Sequence, residues 1–153
     1  MNQIQNDAEF KQALQKLEPA QQRAVAALFV EHVLALSKDQ RIQSIIKVAV
    51  NSNATNDELS NALNSARAAS IDSHTRCGSE GNWTEQAGYF VARAAVAAVT
   101  PQAQSKKSGP AWQAAMSSRM AQTSVLIDED TEDVPMHTEN EWQYDILAKY
   151  LQL

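Results

Sequence analysis

The sequence predicts an all-α protein, an antiparallel helical bundle of six to seven helices, and three observations carry that prediction. The 153 residues include 25 alanines against four glycines and four prolines. Alanine is the best helix former because it loses no rotamer freedom on folding, whereas glycine and proline interrupt elements. Four Ser, Thr or Asn residues are followed three positions later by Glu or Gln: Ser37/Gln40, Thr55/Glu58, Asn82/Glu85 and Thr138/Glu141. In such a capping box each side chain satisfies a backbone N–H left bare at a helix start. Behind each pair, apolar residues recur with the period of a helix rather than that of a strand.

The first helix spans Asp7 to Leu17, with Phe10, Leu14 and Leu17 on one face. Pro19 suits the opening turn of the second, where an N–H would lack a partner anyway. That helix continues to Leu36 through a stripe of Val25, Leu28, Phe29, Val33 and Leu36. The third runs from Lys38 to Val50, with Ile42, Ile45, Ile46 and Ala49 in i, i+3, i+4, i+7 register. A polar turn at 51–56 leads to the fourth, Asn56 to Thr75, whose best apolar face is Leu59, Leu63 and Ala66.

The fifth helix covers Trp83 to Val99, directs Trp83, Ala87, Phe90, Val91, Ala94 and Ala98 inward, and stops at Pro101. Residues 102–109 lack an apolar pattern and read as a loop. Pro110 opens the sixth helix, to Ile127, with Trp112, Ala115, Met116 and Met120 facing inward. An acidic connector, Asp128–Asp133, precedes a last helix after Thr138, with Trp142, Ile146, Leu147, Tyr150 and Leu151 on one face. No repeat of fixed period is present, and short links between helices favour a bundle.

Length assigns residues 1–153 to a single helical domain, large enough to bury a core without disulfides or metals. The net charge is −5 and the pI about 5.1, which argues against nucleic-acid binding and suits a basic protein partner. The single cysteine, Cys77, fits a reducing compartment. The polar start MNQIQNDAEF lacks a secretion-signal core. The longest apolar run, within Phe90–Val99, is broken by Arg93 and falls short of the roughly 20 residues that span a bilayer. These features predict a cytoplasmic protein with no membrane association.

The densest chemical cluster is Asp72–Trp83 (DSHTRCGSEGNW). Asp72, His74 and Cys77 are ligand-type side chains within six residues, and Arg76 and His74 beside Cys77 could lower its pKa. Gly78 and Gly81 would let the backbone bend around a small ligand or anion. Asp72, His74, Arg76, Cys77 and Trp83 are therefore the candidate ligand-binding residues. Against them, a lone His-x-x-Cys has no second ligand pair of the zinc kind, and a cysteine at a helix end also serves as a small buried hydrophobe. No metal or other cofactor is expected.

His32 falls on the apolar stripe of the second helix beside Glu31. The Glu-x-x-His pairs of carboxylate-bridged metal bundles are absent, so a core histidine hydrogen-bonded to a neighbouring helix is the expectation. Arg67, Arg93 and Arg119 sit mid-helix, with Asp72 and Glu85 as candidate partners. The run Asp128–Asp133 lacks the glycine of a calcium loop and reads as a solvated connector. Lys106 and Lys107 are the only adjacent basic pair, too little for a nucleic-acid surface. Phosphate-binding glycine loops, a nucleophile elbow and a His-Glu-x-x-His zinc motif are all absent.

Three stretches carry a family resemblance: the alanine-rich helices NALNSARAAS (61–70) and VARAAVAAV (91–99), and the closing segment EWQYDILAKYL (141–151). From Arg41 onward the layout resembles small alanine-rich bacterial helical proteins that act as immunity proteins of polymorphic toxin systems. That resemblance implies a non-enzymatic role in which an acidic surface blocks a toxin partner. The expectation is thus a small soluble helical protein acting by protein–protein interaction, as an immunity-type inhibitor. The alternative is a small-molecule or metal-binding helical protein, or an enzyme, with its site around Asp72–Trp83.

Overall fold

The computed structural model describes residues 4–77, 83–101, 104, 108–129 and 138–152, with the backbone alone at 76, 77, 83, 84, 126–129 and 138. Among them are seven α-helices and no strand: α1 (Asp7–Gln15), α2 (Pro19–His32), α3 (Arg41–Val50), α4 (Asn56–Cys77), α5 (Trp83–Val99), α6 (Pro110–Glu129) and α7 (Thr138–Leu151). The all-α prediction therefore holds.

Helix starts follow local chemistry. The Thr55/Glu58 box forms: the Glu58 N–H donates to Thr55 Oγ1 and the Thr55 N–H to a Glu58 carboxylate oxygen, each at 3.1 Å. Asn6 caps α1, a start the sequence reading passed over, accepting the Glu9 N–H on Oδ1 at 2.9 Å and donating from Nδ2 to Glu9 Oε1 at 2.7 Å. The Asn82 partner of Glu85 and the side chain of Thr138 lie outside the described residues.

The junction of α2 and α3 departs from expectation. α2 stops at His32 instead of Leu36, a 3-10 turn covers Leu34–Leu36, and α3 begins at Arg41 instead of Lys38. The Ser37/Gln40 box is not formed: the Ser37 N–H is taken by the Leu34 carbonyl at 3.0 Å, and the local side-chain bonds run to and from Asp39. Its carboxylate accepts the Arg41 N–H at 3.0 Å, while Ser37 Oγ accepts the Asp39 N–H at 3.1 Å. Short polar side chains that bond the backbone locally displace a helix start in this way.

The buried side chains form one continuous cluster drawing on all seven helices. Its large members are Phe10, Leu14, Phe29, Ile42, Ile45 and Leu147. α5 packs against α2, α3, α4 and α6, most extensively against α4 and α6. Those contacts are made by small residues: Ala66 and Ala69 of α4, Ala94, Ala95 and Ala98 of α5, and Ala111, Ala114 and Ala115 of α6 are all buried. Met120, expected inside, is 46% exposed, because the buried face of α6 runs through Ala111, Ala114, Ala115, Ser118 and Ala121 and leaves Met120 on the other side. Among the described residues no helix is long and apolar enough to cross a membrane.

Candidate functional site

The predicted cluster at the end of α4 is only partly visible. Asp72 is 53% exposed and bonds Arg41 Nη2 at 2.8 Å. The same guanidinium grips Asp39, with Nε at 2.9 Å and Nη2 at 2.6 Å. Asp39, then Asp72, push the Arg41 pKa up. His74 is exposed and tilts against the Tyr89 ring of α5, centroids 5.3 Å apart. Asp72 and His74 thus face different partners. The side chains of Arg76, Cys77 and Trp83, with Gly78 and Gly81, lie outside the described residues. No group of three metal-ligating side chains occurs among those described. A depression of about 480 Å³ beside Asp72 is lined by Lys38, Asp39, Ser73, Glu85 and Gly88. Its acids are already engaged.

His32 is hydrogen-bonded to a neighbouring helix as expected, but it is not a core residue: its side chain is 33% exposed. Its Nδ1 lies 3.0 Å from Glu139, a 6% exposed carboxylate at the start of α7, and its ring stacks on Trp142. Glu31 takes no part. Arg119 also corrects the expectation, since its carboxylate is Asp7, not Asp72 or Glu85. It makes a forked contact to Asp7 at 2.9 and 3.1 Å and donates from Nε to Gln143 at 2.9 Å. Tyr144 donates to the same Asp7 at 2.7 Å, and fully buried Gln143 donates to the Ala115 carbonyl at 3.1 Å. One guanidinium therefore ties α1, α6 and α7 together. Lys106, Lys107 and Asp130–Asp133 fall outside the described residues.

The arginines left over are found together. Between α4, α5 and α6, a depression of about 480 Å³ adjoins one of about 210 Å³, and the two share Arg67, Thr100 and Gln104. Arg23 lines the first and Arg93 the second, and among the described residues no Asp or Glu lines either. Helical spacing explains the convergence. Leu59, Leu63 and Arg67 stand four apart on one face of α4, Arg93 and Thr100 two turns apart on α5, and Gln113 and Ser117 one turn apart on α6.

Protein partners of the three guanidiniums are few among the described residues, and Arg67 and Arg93 are exposed to solvent. Arg23 Nη2 makes one long bond, 3.3 Å, to the Asn51 carbonyl, and its buried Nε has no hydrogen-bond partner. Among the described residues Arg93 bonds the Tyr89 hydroxyl, at 2.8 Å, and lies over that ring. Among the described residues neither Arg67 nor Arg93 meets a carboxylate. The sequence reading marked Arg67 and Arg93 but not Arg23. Compared with known proteins, the chain matches no family model, no curated protein and no solved structure.

Proposed function

We propose that the protein works by binding an anionic ligand in the groove that Arg23, Arg67 and Arg93 line. The observation that carries this reading is three arginines on one groove with no carboxylate among its described lining residues, in a chain of net charge −5. Arginines that share a groove without a counter-charge raise its positive potential, so an oxyanion gains more there than elsewhere on the surface. The reading reverses the partner charge that the overall composition suggests. It also moves the site away from Asp72–Trp83. A binding role, rather than a catalytic one, is supported by how the described ionisable groups pair: Asp7 with Arg119, Glu139 with His32, and Asp39 and Asp72 with Arg41.

The test is a phosphate titration followed by amide NMR at constant ionic strength. Shifts concentrated at Arg23, Arg67, Arg93 and Thr100, weakened by added sodium chloride and removed by Arg67→Gln, are the expected result. Shifts spread evenly over the lysines, or none up to millimolar phosphate, would refute the reading.

A second reading, an immunity-type inhibitor acting on a basic protein partner, draws on one surface feature. Ile71 is 65% exposed and stands beside the half-exposed Asp72 on α4, a pairing of apolar and acidic groups that suits a cationic protein surface. Co-purification of one defined basic protein from the native host, lost on Ile71→Lys, would favour this reading over anion binding.

A further inference from the structure

Resting on the anion-binding reading, we infer that the ligand carries two linked phosphoryl groups, one held by Arg23 and Arg67 and the other by Arg67 and Arg93. The two depressions form one groove with Arg67 at its joint. Arg67, Thr100 and Gln104 line both, whereas Arg23 lines the larger alone and Arg93 the smaller alone. A single oxyanion in either depression therefore meets Arg67 with one of its neighbours and not with the other. The groove is also long. Along α4 the larger depression runs from Asn56 to Arg67, about 16 Å at the rise of an α-helix. Along α5 the smaller runs from Arg93 to Thr100, about 10 Å. Both lengths exceed the reach of one oxyanion, whose charged hydrogen bonds are about 2.8 Å long.

The chemistry of the two seats selects the phosphoryl group. Each seat turns two guanidiniums toward one anion. A carboxylate keeps its oxygens in one plane and matches a single guanidinium fork. A terminal phosphoryl group points its acceptor oxygens in several directions and can accept from two forks at once. At the joint the donors belong to Arg67 and the Gln104 amide, because the Thr100 hydroxyl gives its proton to the Val96 carbonyl at 2.6 Å. Arg67 is exposed, so its fork is open to an anion on either side. Once one phosphoryl group is seated, a second joined to it binds in an intramolecular step. A diphosphate therefore gains over phosphate through the effective concentration that a short linkage creates.

The experiment is a calorimetric titration of the full chain with phosphate, pyrophosphate, ADP and succinate at fixed ionic strength. Pyrophosphate is expected to bind one to one and about tenfold more tightly than phosphate. Charge alone also favours pyrophosphate, so the variants decide. Arg23→Gln and Arg93→Gln should each weaken pyrophosphate about tenfold, the worth of one charged hydrogen-bonding pair. Phosphate can move to the intact seat and should lose no more than about twofold on either change. Lys47→Gln, at an exposed position on α3, removes the same charge elsewhere and should leave both affinities within about twofold. Circular-dichroism spectra identical to that of the parent establish that the variants fold. ADP distinguishes the source of the diphosphate: affinity equal to that of pyrophosphate assigns the groove to an inorganic chain, and tighter binding assigns it to a nucleotide. Equal affinity for phosphate and pyrophosphate, or loss of pyrophosphate on only one of the two arginine changes, overturns the bridging ligand and leaves anion binding intact. Succinate bound as tightly as pyrophosphate overturns the choice of phosphoryl groups. Failure of every anion to bind overturns both readings together.

Discussion

The rings of His32 and Trp142 lie face to face, centroids 3.5 Å apart and planes within 5°, with Glu139 against the Nδ1 edge of the imidazole. The last residue of α2 thereby holds the first turns of α7. A stacked aromatic pair contributes about 1 kcal/mol beyond its buried area. His32→Ala is expected to lower the unfolding free energy by about that amount plus part of the Glu139 bond, roughly 1–2 kcal/mol in total. A denaturant double-mutant cycle with Trp142→Leu measures the coupling. Additivity of the two single changes would mean that the stack contributes nothing.

The forked Arg119–Asp7 contact gives the protein an acid-sensitive seam. The Arg119 guanidinium holds the Asp7 carboxyl below its ordinary 3.8, the Tyr144 hydroxyl assists, and partial burial opposes them. A carboxyl whose folded pKa is depressed stabilises the fold fully above its unfolded value and loses that contribution as pH falls through the folded value. Asp7→Asn should therefore flatten the stability profile below about pH 4. At neutral pH it should cost about 1 kcal/mol, a figure reduced because Asp7 is 48% exposed. Stability followed by urea unfolding across the acid range checks both.

The alkaline limb belongs to Tyr144. Burial first, then the Asp7 carboxylate, push its hydroxyl up from 10.0 to about 12. A phenol whose folded pKa is raised favours the fold below its unfolded value and loses that contribution as pH climbs from 10.0 through about 12. Tyr144→Phe should remove the slope in this window while costing the bond to Asp7 at neutral pH. Urea midpoints on either side of pH 10 decide it, and an unchanged slope would place the alkaline loss elsewhere.

Gly109 and Gln22 make a coupled pair at the start of α6. The buried Gln22 amide donates to the Leu14 carbonyl at 2.7 Å and accepts the Ala111 N–H at 3.1 Å. Gly109 adopts φ +92, and a Cβ there would stand 3.4 Å from Gln22 Oε1. Gly109→Ala is expected to cost about 1–2 kcal/mol from the left-handed backbone alone. Gln22→Leu should cost about 1–3 kcal/mol, since it strands the Ala111 N–H, while the Leu14 carbonyl keeps its bond from the Leu17 N–H. Thermal unfolding of both variants, monitored by helicity, is the measurement.

Arg23 should show the opposite sign. Its Nε is buried without an acceptor, and such a group costs about 1–3 kcal/mol. Arg23→Met keeps the stem and removes the orphan, so stability is expected to rise or stay within about 0.5 kcal/mol, while phosphate binding weakens. A residue that binds at the expense of folding is a signature of function. A clear loss of stability would mark Arg23 as a structural strut.

Much of the architecture was readable from local signals, because caps and periodic stripes act within a few residues. Thr55/Glu58 fixed the start of α4, and the stripe through Ile42, Ile45 and Ile46 fixed the buried face of α3. The α2–α3 junction was misread because two local patterns compete there, and Asp39, drawn to Arg41, wins. The groove was hidden for a different reason. Arg23, Arg41, Arg67, Arg93 and Arg119 all lack an acid three or four positions away, so by sequence they look alike. Only the tertiary fold sends Asp7 to Arg119 and Asp72 to Arg41 and leaves the other three lining adjoining depressions.

The alanine seam around α5 also bears on how the gene can drift. A single base change in an alanine codon yields Val, Thr, Ser, Pro, Gly, Asp or Glu. At Ala66, Ala94, Ala95 and Ala98, where neighbouring helices leave no room, the branched, acidic and proline outcomes either overfill the seam, bury a charge or break a helix. Serine and glycine are the changes that fit. Those positions should accumulate Ser and Gly and little else, so the innermost helix of this protein has a mutational vocabulary of three residues.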